Sequence, residues 1–239
     1  MKVRRLSPNE LCHHGIKGQK WGVRRYQNPD GSLTSAGRER YNKNSSESLS
    51  NTLYSKAVKI EPKISKDVKD VVSGTSARMY GLEHRLKTKE SIKRKIETDA
   101  YNDNISLEES ASKVKDTVRY TALSKDKDFT KNYFKIKDGL AKKGYVEVRC
   151  KNYFDLYNQG KVKHKSVQSV FQNKDGNKFE MQFHTNASQD VKDRKVPLYE
   201  EARKKDISQK RLHEIERVME NMAEEIPEPK DVYKIKTHN

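Results

Sequence analysis

Cysteine is scarce in this chain: among 239 residues only Cys12 and Cys150 are cysteines, far apart and without a C-x-x-C spacing. That excludes a disulfide framework and a cysteine-built zinc site, and it suits a reducing compartment. Long hydrophobic runs are also missing. No apolar stretch approaches the roughly 18–20 residues that span a bilayer, so no membrane partner is expected. The N-terminus, MKVRRLSPNEL, has basic residues with no apolar stretch behind them, which is not the pattern of a secretory signal. Hydrophobic residues make up 32% of the chain against 36% charged. The core must therefore be concentrated in part of the length, the rest being extended or disordered. There is room for one ordinary domain with an appendage, or for two very small domains.

What the chain has in excess is positive charge, +17 in all. Residues 1–45 hold ten Lys/Arg against three acids, and the remainder 41 against 31, so the N-terminal segment is the denser in charge. Three readings stay open: solvated lysines that aid solubility, contact with nucleic acid or an acidic partner, and attraction of a polyphosphate substrate.

Local signals divide the chain. Asn28-Pro29-Asp30-Gly31 predicts a turn, Thr34-Ser35-Ala36-Gly37 opens a short helix toward Tyr41, and the polar run 42–51 reads as a linker. Helical spacing of Leu53, Val58, Ile60, Val68, Val71 and Val72, interrupted by Pro62, predicts two helical pieces ending at Gly74. Further helices are expected over 88–97, from the Ser106-x-x-Glu109 capping box to about Lys115, over 128–143, and over 197–225 before a Pro227/Pro229 tail. Strands are expected at 118–123 and 145–150, with a β-hairpin of 166–172 and 178–184 about the Asn173-Lys174-Asp175-Gly176 turn. This order predicts an α/β (α+β) fold.

Chemistry concentrates on the second hairpin strand. Alternation places Phe179, Met181 and Phe183 on one face and Glu180, Gln182 and His184 on the other. The plainer reading is a half-buried strand with a solvated polar face. The sharper one is a carboxylate, an amide and an imidazole in line to hold a metal and a nucleotide. Arg85, Lys87, Ser91 and Lys95 would put three cations and a hydroxyl on one helical side, suited to a triphosphate, although a solvated Lys-rich helix has the same pattern. Asp116, just before the strand at 118–123, could meet Glu180 from a neighbouring strand, and two such carboxylates with phosphate oxygens make a Mg²⁺ site.

Together these segments resemble the RelA/SpoT-like alarmone synthetases. Arg85-x-Lys87-x-x-x-Ser91-Ile92-x-x-Lys95 is similar to that family's R-x-K-x-x-x-S-I-x-x-K segment, Lys115-Asp116-Thr117-Val118-Arg119-Tyr120 to its aspartate-led strand, and Glu180-Met181-Gln182 to its E-[IV]-Q strand. The similarity spans about residues 78–203 and looks closest to versions in polymorphic toxins and phage proteins. These carry RYT after the aspartate, a QFHT strand, and a later stretch, here Ser188, Lys192, Leu198-Tyr199-Glu200 and Arg203. The resemblance implies a RelA/SpoT-like nucleotidyltransferase fold, a mixed sheet flanked by helices. It also implies transfer of pyrophosphate from ATP to the 3′-hydroxyl of an acceptor nucleotide. By position, Arg85, Lys87, Ser91, Lys95 and Arg119 would bind ATP phosphates, Asp116 and Glu180 would hold Mg²⁺, and Gln182 and His184 would line the acceptor side. Where the family has a base-stacking tyrosine this chain has His164, and Gln168 replaces a histidine four residues on. Thr121 replaces an arginine for which Arg119 would substitute.

The N-terminal run His13-His14-Gly15-Ile16-Lys17-Gly18-Gln19-Lys20-Trp21-Gly22-Val23-Arg24-Arg25-Tyr26-Gln27-Asn28 resembles a motif of head-associated and minor structural proteins of phages of Gram-positive bacteria. A metal on the histidine pair lacks further ligands nearby. Trp21 and Tyr26 among basic residues could dock on a capsid or portal protein, or on packaged DNA. The resulting division is a basic segment (1–45), a linker and helix (46–75), a RelA/SpoT-like domain (76–226) and a C-terminal tail (227–239). The expectation is a phage protein of the virion or the host cytoplasm, with an effector or toxin-like pyrophosphokinase domain. The rivals are a head or minor structural protein that keeps the fold without the reaction, and a basic nucleic-acid-binding protein.

Overall fold

The computed structural model describes residues 26–43, 45–204 and 206–239. The His13-His14 pair, Trp21 and all of the N-terminal motif before Tyr26 lie outside them. In chain order the elements are α1 (Ser35–Lys43), α2 (Ser46–Ser73), β1 (Arg78–Tyr80), α3 (Lys89–Asp103), α4 (Leu107–Lys113), β2 (Arg119–Ser124), α5 (Phe129–Lys142), β3 (Tyr145–Asn152), α6 (Tyr153–Asn158), β4 (Val167–Asn173), β5 (Lys178–Thr185), α7 (Asn186–Ala202) and α8 (Gln209–Glu224). The strands form one sheet in the order β1-β2-β5-β4-β3. β2 and β5 run parallel, and the other neighbours are antiparallel. The α/β class matches what the element order predicts, and the mixed sheet with flanking helices is the one the resemblance implies. Among the described residues no helix is long and apolar enough to cross a membrane.

One face of the sheet makes the main core. Tyr120 and Ala122 of β2, Val167 and Phe171 of β4, and Phe179, Met181 and Phe183 of β5 meet Ile64, Val68 and Val72 of α2 and Phe129, Tyr133, Ile136 and Leu140 of α5. The helices cross closely at Gly139, where an added Cβ would lie 2.6 Å from Val71 Cγ1. A smaller core joins Ile92 and Ile96 of α3 to Ala111 of α4 and to Leu49 and Leu53 of α2.

Three local expectations are corrected. Pro62 does not split its segment: α2 is one helix of 28 residues. Pro62 sits on the exposed side, where water can satisfy the carbonyl it leaves unbonded. The buried stripe Ala57, Glu61, Ile64, Val68 and Val72 outweighs a cost of about 3 kcal/mol. The linker reading of 42–51 fails from Ser46 onward, because Ser45 accepts from the Ser48 N–H and caps α2, a use for which serine is suited. The final helix is two. α7 starts at Asn186, closed by a reciprocal Thr185–Ser188 capping box, and α8 starts after Ser208. The first half of α7 carries few apolar residues because it faces polar side chains, so hydrophobic periodicity could not reveal it. The hairpin turn is built as expected: Asn173 Oδ1 accepts from the Asp175 and Asn177 N–H groups, and Gly176 takes φ 76°, which glycine adopts without strain. Strand β1 and helix α6 were not legible in the sequence.

Residues 227–239 dock on the sheet's β3 edge. Val232 and Ile235 enter the main core, and His238 exchanges two 2.9 Å backbone hydrogen bonds with Cys150.

Candidate functional site

The face of the sheet away from α2 and α5 is polar. Register puts its side chains in rows. Arg119, Glu180 and Val170 lie side by side on β2, β5 and β4, continued by Arg149 on β3. In the next row are Thr121, Gln182, Gln168 and Lys151, and beyond it His184 pairs with Leu123. Glu180, Gln182 and His184 are nonetheless buried, so the solvated-strand reading fails. Buried polar groups of this kind must find partners or a ligand.

The partners are specific. The Gln182 amide donates to Glu180 Oε1 at 2.5 Å, and its own oxygen accepts from Lys192 Nζ of α7 at 2.7 Å. Gln182 is thereby fixed as a strut between Lys192 and the Glu180 carboxylate. His184 Nδ1 lies 2.9 Å from Ser188 Oγ, while Nε2 is buried with no partner. Burial, with the Lys192 charge beside it, holds His184 well below the usual imidazole range, so the ring is neutral near pH 7.

Asp116 stands in the segment before β2. Its Oδ2 accepts from Lys87 Nζ at 2.5 Å, and its Oδ1 is buried without a partner. Burial pushes the Asp116 pKa up, but the Lys87, Lys95 and Arg119 charges prevail and hold it below the ordinary value. Glu180 goes the other way. Burial raises its pKa and the Asp116 charge adds to the rise, against the Gln182 hydrogen bond and the Arg149 and Arg119 charges. The two carboxylates, distant in sequence, thus lie within each other's field. Lys95 is paired with Asp99 at 3.0 Å and also feels both carboxylates.

Other expected residues are placed differently. Lys87 is not on the helical face with Ser91 and Lys95, because α3 begins at Lys89 with Thr88 as its cap. Lys87 reaches Asp116 from an extended segment whose N–H bonds the Thr117 carbonyl. Ser91 sits in the first turn of α3 against Thr88 and Arg94. Arg85 is drawn to α2: its Nε donates to Glu61 Oε1 at 2.7 Å, a carboxylate shared with the Tyr120 hydroxyl. In this arrangement Arg85 braces α2 against β2 instead of facing Asp116, because a buried carboxylate needs a cation more than an exposed site does. Thr121 has no charge to offer, and Lys192 reaches its row neighbour Gln182. Tyr199 is exposed on α7 and Arg203 pairs with Glu200, so that part of the later stretch stays at the surface.

On the acceptor side, His164 packs on Tyr153, ring centroids 4.1 Å apart. Burial and Lys195 hold the His164 pKa down to about 4. Gln168 lies between Gln182 and Lys151 in register. Tyr153, whose phenol feels Arg149 and Glu180, was not singled out in the sequence, nor were Arg149 and Lys151, and Lys115 was quoted there without a role. Arg149 approaches Glu180 to 3.9 Å and leaves its Nε buried and unpartnered. Burial and the Arg149, Lys178 and Lys151 charges lower the Lys115 pKa. A basic, partly buried face around two carboxylates is electrostatically arranged for a polyphosphate.

The donor set fits Mg²⁺. Among the described residues no group of three or more His, Cys, Asp and Glu is assembled for a metal. Mg²⁺, however, is commonly held by one or two carboxylates plus substrate phosphates, and the orphan Asp116 Oδ1 near Glu180 offers that.

A family of unknown function (DUF7211) matches residues 6–28. No curated protein matches the chain. Among solved structures, the fold is similar to the small alarmone synthetase 1 of Bacillus subtilis bound to its product pppGpp, at 17% identity and TM-score 0.46, covering 79% of this chain and 92% of that one. It is similar to the small alarmone synthetase 2 of Bacillus subtilis, at 14% identity and TM-score 0.47, covering 73% and 89%. A third similar structure is the Type VI effector Tas1 in complex with its immunity protein, at 15% identity and TM-score 0.45, covering 77% and 96%.

Proposed function

We propose that the domain is a nucleotide pyrophosphokinase, transferring the β,γ-pyrophosphate of ATP to the 3′-hydroxyl of an acceptor nucleotide and releasing AMP. The observation that carries this reading is that half-buried Asp116, with its Oδ1 buried and unpartnered, and buried Glu180 lie within each other's field on a cationic sheet face. Lys87, Lys95 and Arg119 would hold the ATP phosphates, and Asp116 Oδ1 with Glu180 would hold Mg²⁺. When bound, the ion would neutralise charge that builds on the phosphates. The acceptor would lie toward His184, Gln168 and the Tyr153–His164 wall. Its hydroxyl oxygen bonds to the β-phosphorus as the bond from that phosphorus to the α-phosphate oxygen breaks. The released proton would pass to the Glu180 oxygen not engaged with the ion. Lys192 and Gln182 hold the Glu180 carboxylate in place.

The N-terminal motif supports placing this activity in a phage protein carried in the virion or made in the host cytoplasm, with residues 1–45 contacting capsid, portal or DNA. An effector or toxin-like role suits an activity that consumes host nucleotides. The replacement of the stacking tyrosine by His164 favours a second reading, a phage structural protein that keeps the fold without turnover. Purified protein given ATP, Mg²⁺ and each nucleotide in turn decides between them. Acceptor-dependent AMP release that disappears in Asp116→Asn is expected; no AMP with any acceptor overturns the enzymatic reading.

A further inference from the structure

The tail and the acceptor side meet at one residue, Asn152. It is fully buried and ends β3. Its Oδ1 accepts from the Phe154 and Asp155 N–H groups at 3.1 and 3.4 Å, capping α6. Its Nδ2 donates to the Val232 and Ile235 carbonyls at 2.9 and 3.0 Å. Its backbone N–H donates to Thr237 Oγ1 at 3.0 Å. The next residue is Tyr153, whose N–H bonds the Ser166 carbonyl at 2.9 Å and whose ring packs on His164. Arg149 and Lys151 lie just before it on β3. The helix also receives the tail at its far end, where Asn158 donates to Glu228 and to the Tyr233 hydroxyl.

We infer that residues 227–239 are part of the site's construction, and that Asn152 is the positioning residue through which the docked tail sets the Tyr153–His164 wall. The physical reason is satisfaction of one amide. All its hydrogen-bonding capacity is divided between the start of α6 and the tail, so neither can shift without leaving a buried polar group unpaired. Moving the tail moves the first turn of α6, and with it Tyr153. The role assigned to the wall rests on the proposed acceptor site; the mechanical coupling does not.

Asn152→Asp separates the two duties. Aspartate caps a helix as well as asparagine does, but its second oxygen would face the Val232 and Ile235 carbonyls and repel the tail. The first readout needs no turnover: the NMR titration of the His164 ring in the full chain, assigned with His164→Gln. In Asn152→Asp the His164 pKa is expected to rise from about 4 toward the ordinary value of about 6.5 as the wall opens, while trypsin cuts at Lys230, Lys234 and Lys236 faster than in wild type. The second readout is kinetic. KM for the acceptor should rise about tenfold, the scale of one lost buried hydrogen bond, with KM for ATP unchanged. A tail that trypsin removes readily while His164 titrates as in wild type overturns the coupling, and so does a tail that stays protected. If Asn152→Asp does not fold, Thr237→Val, which deletes only the bond to the Asn152 N–H, is expected to give smaller changes in the same direction, and no change overturns it. Should wild type release no AMP, the pyrophosphokinase reading falls while the titration still judges the coupling.

Discussion

Strand β5 has two faces, both buried, made of alternate residues. Phe179, Met181 and Phe183 are 0–3% exposed and pack among rings and aliphatic chains; Glu180, Gln182 and His184 are 4–9% exposed and pack among charges. The first face gains stability from every contact. The second costs stability, because burial raises the Glu180 pKa and depresses that of His184, and leaves the His184 Nε2 and Arg149 Nε atoms unpartnered. Stability supplied by one face and lost on the other is the arrangement that supports the proposed nucleotide site.

The largest effect should come from the apolar face. Phe179→Ala empties a position ringed by Tyr120, Tyr145 and Phe171 and should cost about 3–5 kcal/mol in denaturant unfolding. A loss under about 1 kcal/mol would mean the core re-forms around the gap.

Glu180→Gln, one residue on, should do the opposite. Acceptor-dependent AMP release should fall about 100-fold or more, the scale of a lost charged transition-state group, while stability is kept or rises because the buried carboxylate charge is removed. Equal activity would remove Glu180 from the chemistry.

Within the polar side, the carboxylate and the imidazoles respond to pH in opposite directions. Glu180 has a raised pKa, so above its ordinary value of 4.5 the folded chain holds more protons than the unfolded one, and stability falls as pH climbs through that window. His164 and His184 are depressed, so their contribution is complete above 6.5 and lost as pH falls, for His164 down to about 4. Unfolding free energy measured from pH 7 to 4 should therefore drop on acidification, and His164→Gln should flatten the curve by about 3 kcal/mol. An unchanged curve would mean that His164 is solvated.

The smallest effect on stability should be that of Lys192→Met. A partly buried ammonium is exchanged for an apolar chain of similar length, so unfolding should change by less than about 1 kcal/mol. Turnover should fall about tenfold as the Gln182 strut loosens, read as a lower kcat. An undiminished kcat would show that Glu180 needs no such support.

How much was legible follows from range. The β5 alternation, the Asn173 turn, the Ser106 cap and the helix at 128–143 are written in neighbouring residues, and the structure has them all. Asp116 and Glu180 were legible as a candidate pair from their places at two strands, and the ordered resemblance of three segments added to that reading. The helical stacking of Lys87 with Lys95 was misread because the Thr88 cap places the helix start after Lys87. Arg149 looked like an ordinary strand residue until β4 and β5 set it in line with Glu180.

The sequence by itself determined which residues alternate, cap and turn, because those are contacts between neighbours and carry their own periodicity. The tertiary structure alone decided that Arg85 turns to Glu61, that Lys192 locks Gln182, and that the tail grips Asn152. Each joins segments with no local pattern in common. Each arises because a buried polar atom takes whichever partner the packing of the chain brings within reach.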